Sequence, residues 1–81
     1  MTRVALAAIS IDWSGMATGG APVDLSVAIT LQSVRGMLQL ADGRHRVAMA
    51  QRMGRTELTA HVRELGPRGG VRREYAVVVV L

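Results

Sequence analysis

Two apolar segments, one near each end of the sequence, constrain the fold most. Arg3–Asp12 and Tyr75–Leu81 carry mainly apolar side chains at both odd and even positions. A strand that is apolar on both faces belongs in the interior of a sheet that is covered on both sides. We therefore expect two central strands that lie side by side. A helix predicted between them implies that they run parallel.

The chain is short and contains few aromatic residues. Its 81 residues include one tryptophan, one tyrosine and no phenylalanine. A domain of this size buries only about 60–65% of its unfolded surface, and aliphatic side chains bury less area each than aromatic ones. We expect a single domain over residues 1–81 that is completed by self-association as a homo-oligomer or by a missing C-terminal half.

The middle of the sequence predicts two more strands. Val23–Ser33 alternates between apolar and polar residues, which is the pattern of a half-buried strand. Arg35-Gly36 predicts a bulge or bend, and Asp42-Gly43 predicts a two-residue hairpin turn. Arg44–Gln51 is then the return strand. Its Ala, Met, Gln and Arg residues also favour the alternative, a helix over Arg44–Met53.

Glu57–Leu65 has the strongest helical pattern. Thr56 can cap its first turn, and Leu58, Val62 and Leu65 recur at helical spacing. A glycine followed by a proline then ends the pattern. The predicted fold is α+β, a mixed sheet in β-β-β-α-β order with strand four parallel to strand one. The alternative is a small all-β barrel or sandwich.

Two groups of short motifs resemble a known family. Ile11-Asp12-Trp13-Ser14-Gly15 resembles the I-D-W-S-G first strand of a family of predicted ribonuclease-H-like nucleases. Gly54–Leu58 together with Ala60–Val62, followed by an apolar strand, is similar to the helix and next strand of that family. The β-β-β-α-β order is also that of the first half of a ribonuclease-H-like fold, so the resemblance covers nearly the whole chain.

The resemblance implies a site for a divalent metal such as Mg²⁺. Asp12 would be the first catalytic metal ligand and Glu57 the second, because carboxylates in this family hold metals that activate water. The third ligand follows the last strand, whereas this sequence stops at Leu81, and two carboxylates hold Mg²⁺ poorly. The resemblance therefore implies an incomplete domain without catalysis of its own. Alternatively, Asp12 caps a turn and Glu57 complements a helix end.

Positive charge is concentrated in the second part of the sequence. The chain has ten arginines, no lysine and six acidic residues, and residues 34–81 hold nine of the arginines. Arginine-rich surfaces attract phosphate groups, so we expect nucleic-acid binding unless these arginines only solvate the surface. The candidate nucleic-acid-binding residues are Arg44, Arg46, Arg52, Arg55, Arg72 and Arg73.

Several other kinds of site have little support in the sequence. The absence of cysteine excludes disulfides and thiolate metal sites. No apolar run reaches the roughly 18 residues needed to span a bilayer, so we expect a cytoplasmic protein without a membrane partner. The glycine-rich loop Gly15–Gly20 could hold a phosphate through backbone amides, although no Walker lysine pattern accompanies it.

Overall fold

The computed structural model describes residues 1–15 and 23–81. In this part of the chain, six strands form one mixed sheet that is accompanied by one α-helix, so the predicted α+β class is confirmed. The elements are β1 (Thr2–Ala5), a 3₁₀ turn (Leu6–Ala8), β2 (Ile9–Ser10), β3 (Ile29–Val34), β4 (Met37–Asp42), α1 (Arg44–Arg52), β5 (Glu57–Leu65) and β6 (Val71–Val80).

The sheet curls until its two edges approach each other. Its strand order is β1-β6-β5-β3-β4-β2, so the two edge strands are consecutive segments of the chain, separated only by Leu6–Ala8. The edges of a flat six-stranded sheet lie about 24 Å apart. The four residue steps from Ala5 to Ile9 span at most about 14 Å. The connection is therefore compatible only with a strongly curved, barrel-like sheet.

The core consists of aliphatic side chains that alternate along the strands. On β5, Leu58, Ala60 and Val62 are buried, and their neighbours Thr59 and His61 are exposed. The same period of two appears at the start of β3 and over the last residues of β6, as expected for strands with one covered face. Helix α1 adds two buried side chains. The buried core residues are Ile9, Ile29, Leu31, Val47, Ala50, Leu58, Ala60, Val62, Val77 and Val79.

The two ends of the chain do lie side by side and run parallel, as predicted. Thr2 lies opposite Val77, and Ala5 lies opposite Val80. The prediction of one continuous central strand over Arg3–Asp12 is wrong, however. The 3₁₀ turn divides it into β1 and β2, which are the two edges of the sheet. The small residues of this segment allow the division, because the alanines carry little apolar surface that a central strand would have to bury.

The helix predicted over Glu57–Leu65 is wrong, because this segment is β5. The sequence contains both a helical spacing and an apolar alternation at Leu58, Ala60 and Val62, and pairing with β6 favours the alternation. In the antiparallel register, Leu58 lies opposite Val79 and Ala60 opposite Val77. Four strands precede the only α-helix of the described residues and two follow it, so the predicted β-β-β-α-β order lacks one strand on each side of the helix.

The helix forms instead over Arg44–Arg52, so the predicted return strand is wrong and its helical alternative is confirmed. Val47 and Ala50 share one face and are both buried, since residues three apart are neighbours on a helix. The predicted hairpin at Asp42-Gly43 is also wrong, because these residues lead into α1. The β3–β4 hairpin turns at Arg35-Gly36, where both residues have positive φ, 51° and 78°.

The strand predicted over Val23–Ser33 is only half correct, because β3 begins at Ile29. The preceding residues form a turn that is stabilised from within the chain. The Asp24 carboxylate accepts hydrogen bonds from the backbone amide and hydroxyl of Ser26, and the Val27 amide donates to the Asp24 carbonyl at 3.4 Å. An aspartate that bonds to a residue two positions later favours a turn over a strand.

Candidate nucleic-acid interface

The two predicted metal ligands do not share one cavity. Asp12 follows β2 and lines a cavity of about 680 Å³ in front of the first turn of α1. Glu57 begins β5, is absent from that lining, and lies 3.2 Å from Nη1 of Arg3. Within residues 1–15 and 23–81, no three His, Asp or Glu side chains are grouped closely enough to hold a metal ion. Asp12 and Glu57 thus have separate local partners, and the Mg²⁺ site implied by the resemblance stays a prediction.

The Asp12 carboxylate is engaged in a local turn. Its Oδ1 atom accepts hydrogen bonds from the backbone amide of Ser14 at 2.9 Å and from the Ser14 hydroxyl at 2.5 Å. The hydrogen bond from the Ser14 hydroxyl lowers the pKa of Asp12 most, and the bond from the Ser14 amide is the next largest cause. The positive charge of Arg44 also lowers this pKa, whereas partial desolvation raises it. Asp24 repeats this arrangement with Ser26, and its pKa is lowered for the same first two reasons. The structure therefore shows Asp12 in its alternative role, in which the side chain caps a turn.

Arg44 and Arg46 bond to the protein's own backbone. Nη1 of Arg44 donates to the carbonyl oxygens of Asp12 at 2.7 Å and Ser14 at 2.6 Å. On the other side of α1, Nη1 of Arg46 donates to the carbonyls of Val27 and Ala28 at 3.4 and 3.3 Å. These two guanidinium groups hold the two stretches of chain that flank residues 16–22 against the helix. The bonds engage Nη1 of Arg44 and both Nη atoms of Arg46.

Arg46 is the more deeply engaged of the two. Its Nη2 atom also donates to Oδ2 of Asp42 at 2.8 Å, and only 15% of its side chain is exposed. A partly buried guanidinium with three protein acceptors is costly to withdraw, since each lost bond leaves a polar group without a partner. Arg46 therefore has a structural role.

The remaining predicted arginines lie in two separate places. Arg52 and Arg55 are exposed at the end of α1 and just beyond it, and neither belongs to an ion pair among the described residues. Arg72 and Arg73 lie at the start of β6. Arg73 pairs with Glu64 at 3.1 Å and lies 4.8 Å from the centre of the Tyr75 ring. The six predicted residues therefore do not form one surface.

Two arginines outside the predicted set lie at the tips of the hairpins, Arg35 in the β3–β4 turn and Arg68 in the β5–β6 turn. Because β3 and β5 are parallel and Ser33 lies opposite Glu64, the two turns project from the same end of the sheet. Both side chains are exposed, and the ion pairs of the described residues include neither. We call this pair the hairpin-tip arginines. The feature of the sequence that could have identified them is the arginine-glycine dipeptide that each turn contains.

A cavity of about 900 Å³ lies between the two hairpins. Arg35 and Arg72 line it, together with Glu64 and with glycines from both turns. The stem of Arg72 passes close to Gly66, where an added methyl group would lie 3.0 Å from its Cγ and Cδ atoms. The cavity thus has basic side chains on its walls and backbone that an extended ligand could approach closely.

Two further predictions concern the phosphate loop and the membrane. Most of the loop Gly15–Gly20 lies outside the described residues, so its predicted phosphate contact stays a prediction. None of the helices formed by residues 1–15 and 23–81 has the length and apolar character required to cross a bilayer.

Comparison of the chain with known protein families, with curated proteins and with solved structures gave no match.

Proposed function

We propose that this chain is a non-catalytic nucleic-acid-binding module, and that the hairpin-tip arginines, Arg35 and Arg68, contact phosphate groups. The observation that carries the proposal is their position at one end of the sheet, exposed and outside every ion pair of the described residues. A guanidinium group that is not engaged in an ion pair is available to bind phosphate.

The charge around them supports this choice of surface. The hairpin end also holds Arg63, Arg72 and Arg73, against two acids, Glu64 and Glu74. Both acids are already paired, Glu64 with Arg73 at 3.1 Å and Glu74 with Arg63 at 3.7 Å. Positive charge is therefore in excess at this end. At the opposite end, Arg44 and Arg46 share a cavity with three aspartates.

Contact with the phosphate backbone is favoured over contact with bases. The sequence has one tryptophan and one tyrosine, and Tyr75 is covered by Arg73. Single-stranded binders usually stack successive bases on several aromatic rings. Phosphate contacts position a protein without reading sequence, so we expect weak binding that depends on salt and little on base composition.

The test compares two charge-matched double variants. Arg35→Gln/Arg68→Gln removes the hairpin-tip arginines, and Arg52→Gln/Arg55→Gln removes two exposed arginines near α1. Fluorescence anisotropy with a labelled duplex is measured from about 50 to 200 mM salt. We expect the first variant to lower the slope of log affinity against log salt by about 2, since each arginine neutralises one phosphate. The control should keep the wild-type slope.

Two results would overturn the proposal. An equal loss in both variants would mean that only net charge attracts the nucleic acid. An absence of binding by the wild-type chain at the lowest salt would remove the proposed function altogether. Circular dichroism of both variants should match the wild type, because substitutions of exposed side chains usually change stability by less than about 0.5 kcal/mol.

The ribonuclease-H-like hypothesis has less support in this geometry. It needs Asp12 and Glu57 around one metal ion, whereas the Asp12 carboxylate is bonded to Ser14 and Glu57 is paired with Arg3. We expect no Mg²⁺-dependent cleavage of RNA or DNA by the purified chain. Cleavage that Asp12→Asn abolishes would instead establish the hypothesis.

A further inference from the structure

Arg72 is the extra residue of a bulge in the strand pair of β5 and β6. Glu64 lies opposite Arg73. The next pair joins Leu65 to Val71, so Arg72 has no partner position on β5. A bulge of this kind interrupts the regular alternation of side chains and gives the strand a new way to aim one of them. The direction of the Arg72 side chain is thus released from the alternation that governs its neighbours.

The side chain of Arg72 passes over Gly66 and lines the cavity between the two hairpins. Its Cγ and Cδ atoms lie 3.0 Å from the place that a methyl group on Gly66 would occupy. This distance is shorter than the 3.5–4.0 Å or so at which two carbon atoms attract each other best. The stem of Arg72 therefore takes this course because residue 66 has no side chain. Beyond Gly66, Arg72 shares the cavity wall with Arg35.

Arg72 differs from the adjacent Arg73 in its partners. Arg73 pairs with Glu64 at 3.1 Å and lies 4.8 Å from the centre of the Tyr75 ring. Arg72 is exposed, and no ion pair or side-chain hydrogen bond within residues 1–15 and 23–81 includes it. Glu64 also lines the cavity, but Arg73 balances its charge. The cavity wall therefore carries an excess of positive charge.

We propose that the sugar-phosphate backbone of one nucleic-acid strand lies in this cavity, where Arg72 contacts phosphate beside Arg35, and that Gly66 is a positioning residue for Arg72. The inference rests on the proposed function, because Arg35 is both a hairpin-tip arginine and part of the cavity wall. Gly36 and Gly69 leave room for such a ligand, since a methyl group on either would have no atom within 4 Å. A planar guanidinium group matches the geometry of a phosphate.

The first experiment removes the charge of Arg72. Binding of the same labelled duplex is followed by fluorescence anisotropy over the same salt range for Arg72→Gln and for Arg52→Gln. We expect Arg72→Gln to lower the slope of log affinity against log salt by about 1, because one phosphate contact is lost. Arg52→Gln removes the same charge near α1 and should keep the wild-type slope.

The second experiment moves Arg72 without changing the net charge. Gly66→Ala puts a methyl group into the path of the Arg72 stem and should weaken binding. Gly70→Ala is the matched control in the same turn, because its methyl group would have no atom within 4 Å. Neither glycine has a positive φ, so both variants should keep the wild-type circular dichroism. In the Arg72→Gln background, Gly66→Ala should cause no further loss, because the side chain through which it acts is already absent.

The outcomes separate this inference from the proposed function. If Arg35→Gln/Arg68→Gln lowers the salt slope but Arg72→Gln does not, the inference is overturned and the proposed function stands. If the wild-type chain does not bind at the lowest salt, both are overturned. An equal loss from Gly66→Ala with and without Arg72, or no loss at all, would overturn the positioning role of Gly66.

Discussion

Gly43 joins β4 to α1, and its replacement by alanine should be strongly destabilising for two separable reasons. Its backbone is left-handed, with φ 117° and ψ 22°, which costs a residue with a side chain about 1–3 kcal/mol. In addition, the new methyl group would lie 2.6 Å from Cγ2 and 2.9 Å from Cβ of Ile29. Ile29 is completely buried, and forcing extra atoms into a packed core costs about 1–3 kcal/mol.

The two contributions predict a total loss of about 2–6 kcal/mol, which is comparable with the entire stability of a small domain. Gly54→Ala is the matched control. Gly54 also has a positive φ, 73°, but no atom would lie within 4 Å of its new methyl group. It should therefore lose only the backbone contribution.

The assay is urea unfolding followed by circular dichroism, with the free energy of unfolding extrapolated to water. The difference between the two variants isolates the contact with Ile29, and we expect it to be about 1–3 kcal/mol. A loss for Gly43→Ala that is no larger than the loss for Gly54→Ala would refute the close approach of β4 and β3 at this position.

Two further predictions concern the residues around α1. Ser14→Ala should raise the pKa of Asp12 in a carboxyl NMR titration and leave Asp24 unchanged. Because the folded-state pKa is lowered, the stabilisation by Asp12 is present above its unfolded-state pKa and is lost as the pH falls through the folded-state value. In Ser14→Ala, the free energy of unfolding should therefore depend less steeply on pH in the acid range. Arg46→Met should cost about 1–3 kcal/mol in urea unfolding, because it removes bonds to partly buried carbonyls. Arg52→Met should change stability by less than about 0.5 kcal/mol.

The strand character of the two apolar ends could be predicted from their residues, whereas their parallel pairing was inferred from a helix over Glu57–Leu65 that is in fact β5. Val77 and Val79 require a covered face, and the parallel neighbour β1 was correctly expected. The division of the first segment into β1 and β2 could not be read from the residues. It depends on the closing of the sheet, which is a property of all six strands together.

The exchange of helix and strand in the second half has a local cause. Glu57–Leu65 satisfies both a helical and an alternating pattern, and only its pairing with Val77 and Val79 decides between them. The Asp42-Gly43 dipeptide suits a hairpin turn equally well, but the chain turns earlier, at Arg35-Gly36. Short patterns that fit two structures are resolved by tertiary contacts, which a single sequence does not display.

The candidate site was difficult to predict because charge pairing is non-local. Arg44 bonds to the carbonyl of Asp12 across 32 positions of the sequence, and Arg46 bonds to that of Val27 across 19. Nothing near either arginine in the sequence indicates these acceptors. Arg35 and Arg68 are far apart in the chain, and only the parallel pairing of β3 with β5 brings their turns to the same end.

The most direct test of the proposed interface is an NMR titration of the ¹⁵N-labelled chain with a short duplex at low salt. We expect the largest amide shifts at the two hairpin turns, around Arg35 and Arg68, and little change along α1 from Arg44 to Arg52. Shifts concentrated on α1, or spread evenly over the strands, would contradict the assignment of nucleic-acid binding to the hairpin tips.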